Sequence, residues 1–110
     1  MRVISAALLI FLSLGEAQGV TELVVKTDLL ACRPERQFDR AERLRKSGDE
    51  KSLTAFTTGA LLSRTCVLLT TGTKVFAAGR GKGPGVIKVR PKGSFVTFFA
   101  AEENFERSNR

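Results

Sequence analysis

Apolar positions change their spacing several times along this chain, and each change marks an element or a boundary. Residues 3–14 are apolar throughout except for Ser5 and Ser13. Further on, Leu23, Val25 and Thr27 alternate with Val24 and Lys26, which predicts one extended strand over 20–31, running into Cys32. The spacing then lengthens. Phe38, Ala41 and Leu44 fall at i, i+3 and i+6 and form a narrow apolar stripe on an otherwise charged helix over 34–46. Pro34 suits a first helical turn, Glu35 and the pair Arg45 and Lys46 match the helix dipole, and Gly48 is a natural stop. Asp49 is placed to cap a second helix, in which Leu53, Phe56, Ala60 and Leu61 share one face.

From Cys66 the period returns to two. Short strands are predicted at 66–69, 73–78, 86–90 and 94–100, separated by turn signals at Thr71-Gly72, 79–85 and Pro91-Lys92-Gly93. Within 86–90 the alternation is clean: Val86, Lys88 and Arg90 face one way, Ile87 and Val89 the other. Residues 102–110 are dominated by charge and read as a flexible, frayed tail.

The apolar run at 3–14 is about a dozen residues, the length of a signal core and short of the roughly 20 that span a bilayer. Arg2 precedes it and small residues follow, with a cut after Ala17 or after Gly19. Residues 1–19 therefore read as a signal peptide and 20–101 as one domain, exported to a periplasm or beyond the cell, with no later transmembrane segment. Export changes the meaning of the only two cysteines, Cys32 and Cys66. An oxidising compartment favours an internal disulfide between them, while intermolecular pairing and two buried thiols stay open. Export also redirects the net charge of +7. Its partners outside a cytoplasm are acidic proteins or anionic envelope components, not nucleic acid.

The residues present narrow the chemistry. There is no His, which removes Ser-His and Cys-His nucleophile pairs and the commonest metal ligand. The cysteines form no C-x-x-C motif, and the acids mostly sit among Lys and Arg as solvated helix pairs such as Glu42 with Lys46. No metal, no cofactor and no catalytic residue is expected; a small hydrolase built on carboxylates alone is the weakest option. The loop 79–85 contains four glycines, Arg80 and Lys82. Strands on both sides and the lack of a Lys-Ser/Thr step exclude a phosphate loop of the Walker type. It is either a mobile hairpin tip or a loop whose bare N–H groups and two cations grip an anion. Lys88, Arg90 and Lys92 form a second basic row, and Arg36, Arg40 and Arg43 share one face of the first helix. Each is a candidate docking surface or a solubilising one.

The order of these features resembles the small SH3-like domains of bacterial exported proteins. The residues that carry the resemblance are Ala31-Cys32, Gly48-Asp49, Cys66-Val67-Leu68-Leu69, Gly72-Thr73-Lys74-Val75 and Ile87-Lys88-Val89-Arg90-Pro91-Lys92-Gly93. It implies an α+β fold: a five-stranded SH3-like β-barrel with a helical hairpin, about 33–63, inserted after the first strand. Peptide-binding SH3 surfaces use Trp and Tyr; this chain has neither and offers Phe95, Phe98 and Phe99 instead. The function expected is a non-catalytic binding module making protein or envelope contacts through Arg80, Lys82, Lys88, Arg90 and Lys92. The alternative is a secreted effector or enzyme inhibitor that docks an acidic cleft through the glycine loop.

Overall fold

The structure, a computed structural model, describes residues 21–108. The signal peptide read at 1–19 lies outside the described residues. The fold is α+β: seven strands in one antiparallel sheet and two α-helices. In chain order these are β1 Glu22–Val25, β2 Leu29–Cys32, α1 Glu35–Ser47, α2 Glu50–Leu62, β3 Cys66–Leu69, β4 Lys74–Arg80, β5 Val86–Pro91, β6 Phe98–Ala101 and β7 Phe105–Arg107. A single 3-10 turn, Glu102–Asn104, joins the last two strands.

Seven strands replace the five expected because two stretches behave differently from their pattern. The segment read as one strand over 20–31 breaks at Lys26–Asp28 into β1 and β2, which pair with different neighbours. Asp28 holds the break: its carboxylate accepts from the Thr71 N–H at 2.7 Å and the Thr71 hydroxyl at 2.8 Å. The charged tail is also partly ordered. Phe105 buries itself in the core and draws Phe105–Arg107 into a ladder with β1. Conversely, residues 94–97 stay out of the sheet, and Phe95 is 97% exposed.

The strand order is β3-β2-β6-β5-β4-β1-β7. One face collects Leu23, Val25, Ala31, Leu69, Val75, Ile87, Val89, Phe98, Ala100 and Phe105 into a single cluster that contains no helical residue. One face of seven strands can form one such cluster only by curling on itself, as the right-handed twist of a sheet permits. The curl does not close, so β3 and β7 remain edges. In β4 a register shift between Ala77 and Gly79 inserts Ala78 as a bulge.

The helical hairpin covers part of the opposite face. Phe38 and Ala60 meet Cys32, Cys66 and Val86 there in a second cluster. The hairpin turn is built as its residues dictate. Gly48 takes φ 78°, a left-handed conformation that a side chain would strain, and its N–H reaches the Arg45 carbonyl. Asp49 caps α2 by accepting from the Ser52 N–H at 3.0 Å. At the base, Cys32 and Cys66 stand directly opposite each other in the β2–β3 ladder and form a disulfide. Among the described residues no helix is long and apolar enough to cross a membrane.

Candidate functional site

The glycine loop does hold an anion, and the anion belongs to the chain itself. Glu35 opens α1, where the helix dipole favours a negative charge. Its carboxylate accepts the Lys82 N–H at 3.0 and 2.8 Å and the Gly83 N–H at 3.1 Å. Those bonds, the Lys82 one foremost, hold the Glu35 pKa below its ordinary value. Gly81 is required by the close approach: a Cβ there would lie 2.5 Å from Glu35 Oε2 and 2.6 Å from Val86 Cγ1. The loop is not a free tip. It is tied at one end by Gly81 N–H to the Val86 carbonyl and at the other by Glu102 N–H to the Gly85 carbonyl.

The cations of the predicted surface divide by what they touch. Arg80 grips Glu102 with both terminal nitrogens, at 2.9 and 2.8 Å, which lowers the Glu102 pKa. Lys82 is exposed beside the loop. Lys88 and Arg90 project from the outer face of β5 over aromatic rings of the adjacent strands. Lys88 lies 5.4 Å from the centre of Phe99 and Arg90 lies 4.9 Å from that of Phe76. Arg90 also donates to the Ser94 carbonyl at 2.9 Å. Lys92 is in the turn after β5, its ammonium 3.6 Å from Glu22 Oε2. The face that the alternation assigned to Val86, Lys88 and Arg90 is real, yet it is split by the helices: Val86 is buried beneath them, while Lys88 and Arg90 lie on rings.

On α1 the three arginines Arg36, Arg40 and Arg43 are all exposed, and Arg40 leans over the Phe56 ring of α2 at 5.6 Å. Glu42 bonds Arg45 at 2.6 Å, not the Lys46 one turn on. None of Arg36, Arg40 and Arg43 forms an ion pair among the described residues.

Sequence reasoning missed two features. The first is the aromatic pair Phe76 and Phe99 beneath Lys88 and Arg90. Cross-strand register creates it, pairing Phe76 with Arg90 and Lys88 with Phe99. The second is a set of exposed apolar side chains near β3: Leu61 at 39%, Leu62 at 80%, Leu68 at 55% and Val96 at 38%, with Phe95 beside Val96 in the chain. The only sequence signal for it was the doublets Leu61-Leu62 and Phe95-Val96, which read equally well as core. No group of three or more His, Cys, Asp or Glu among the described residues is placed to share a metal ion. No protein-family model, curated protein or solved structure matches the chain.

Proposed function

We propose that the chain is an exported, non-catalytic binding module that engages an anionic partner through exposed basic side chains. The observation that carries this reading is the row Arg36, Arg40 and Arg43 on α1, exposed and in no ion pair among the described residues. Arginine presents a planar fork that matches carboxylate and phosphate groups, and a short rigid helix spaces three of them on one face. Arg80, Arg90 and Lys92 are less available, each already set against a carboxylate or a carbonyl. Export is supported by the apolar run at 3–14 and by the disulfide, which persists in oxidising compartments. Kinship with small SH3-like barrels is part of the same proposal, supported by the curl of the sheet around one core and the hairpin inserted before a cysteine-led strand.

The test is retention on immobilised polyglutamate and co-sedimentation with phosphatidylglycerol vesicles, each across a salt series. The wild type is expected to bind at low salt and release steeply as salt rises. R36E/R40E/R43E is expected to lose that binding, while R80E/K82E loses less. Equal retention of the α1 variant and the wild type rejects the α1 row, and binding indifferent to salt rejects an electrostatic contact altogether. Preference for vesicles over polyglutamate makes the partner a lipid surface.

A further inference from the structure

The sheet has two edges, and only one is guarded. The three residues of β7 include exposed Glu106 and Arg107, charges of the kind that deter a further strand. The other edge, β3, reads Cys66, Val67, Leu68 and Leu69, with no charge, no proline and no register shift against β2. Register shows which of its backbone groups are turned away from β2. The Arg33 N–H donates to the Thr65 carbonyl at 2.8 Å, so positions 33 and 65 are a hydrogen-bonded pair. Alternation then makes Cys32–Cys66 and Leu30–Leu68 non-hydrogen-bonded pairs. The N–H and C=O groups of Cys66 and Leu68 therefore point away from β2, the single strand with which β3 pairs, and of the two Leu68 is exposed while Cys66 is covered.

A groove of about 530 Å³ runs along this edge. Leu61, Val67, Leu68 and Val96 line it, with Arg33 and Arg64 among its walls. Arg64 is the one described residue other than glycine with a positive φ, 63°. It follows the last turn of α2, where its N–H reaches the Leu61 carbonyl and the Thr65 N–H reaches that of Ala60. Glycine suits that position best, so an arginine there keeps a cation beside the groove at some strain. A second copy is a poor occupant. The chain carries +7, and pairing β3 with itself would bring two sets of Arg33 and Arg64 to one seam. The complement of this edge is acidic.

We propose that β3 is a docking edge that takes an extended segment of an acidic partner protein as an added strand. The main-chain groups of Leu68 would bond that segment. Its apolar side chains would rest on Leu61, Leu68 and Val96, and its carboxylates on Arg33 and Arg64. This rests on the reading of the chain as a binding module but not on the α1 row.

The test uses the disulfide-bonded protein and a synthetic probe: an alternating Val/Thr peptide flanked at both ends by Glu, with a Lys-flanked counterpart as control. The readouts are peptide affinity and amide hydrogen exchange at Leu68. The Glu-flanked peptide is expected to slow exchange at that amide. L68K, at an exposed side chain, and R33E/R64E are each expected to weaken it by about tenfold and to remove that protection, while R36E/R40E/R43E keeps the protection at saturating peptide. Unslowed exchange at that amide, equal affinity for the Lys-flanked peptide, or protection by self-association or by vesicles without peptide overturns the proposal. Peptide binding at β3 with α1 variants that still bind polyglutamate removes the α1 row alone. Loss of polyglutamate binding in the α1 variant with β3 untouched by peptide removes the docking edge alone.

Discussion

At Arg64 the requirements of folding and of recognition point to different residues, which makes the position diagnostic. Relief of the left-handed backbone on substitution by glycine is worth about 1–2 kcal/mol. The greater freedom of glycine in the unfolded chain takes back about 0.5–1 kcal/mol. R64G is therefore expected to raise stability by about 0.5–1 kcal/mol, seen as a rise of a few degrees in Tm, and to weaken the acidic peptide at β3. A variant that is more stable and binds as well as the wild type would leave the arginine unexplained. At this scale the sequence was legible where one residue acts on its chain neighbours. Asp49 caps α2, Gly48 ends α1, and Ile87 and Val89 face the core as their alternation predicts. It was not legible where partners lie far apart in the chain. Glu35 meets Lys82 across forty-seven positions, and nothing local distinguishes it from the other acids of α1.

Between elements, the Glu35 carboxylate is the latch that holds the loop between β4 and β5 against the start of α1, and its charge makes the latch sensitive to pH. The folded-state pKa is depressed by the Lys82 and Gly83 amides. The latch is therefore fully present above the unfolded carboxyl pKa and is lost as pH falls through the lower, folded one. Amide exchange at Lys82 and Gly83 is expected to accelerate in that acid window. E35Q has no charge to lose there, so its exchange at the same two amides should be faster than wild type at neutral pH and show no such step. A step of equal size in E35Q would assign the change to other depressed carboxylates, Asp28, Asp49 or Glu102. The same scale explains the strand errors. Two segments were misjudged because strand membership there depends on a partner. Phe105–Arg107 gains β1 despite two charges in three residues, while Phe95 and Val96, apolar by composition, find no ladder.

Across the whole molecule, the disulfide decides whether the hairpin and the sheet behave as one unit. Cys32 and Cys66 are 0% and 1% exposed, and they sit in the cluster where Phe38 and Ala60 meet Val86, the contact between the helices and the sheet. The bridge spans 34 positions of chain. Removing a bridge over a loop of that length frees the unfolded chain by about 3–4 kcal/mol. A domain of this size is stable by only about 4–13 kcal/mol, so the loss is a large share of the total. C32A/C66A is expected to shift the denaturant midpoint accordingly. Added reductant should lower the wild type toward the variant and leave the variant where it is. Because both sulfurs are buried, reduction should be slow at low denaturant and accelerate as the hairpin base opens. A loss below about 1 kcal/mol would mean that the second cluster holds the hairpin without the bond. In that case β3 would keep its register on packing, its ladder with β2 and the Arg33–Thr65 hydrogen bond, and acidic-peptide binding at its open edge should survive reduction.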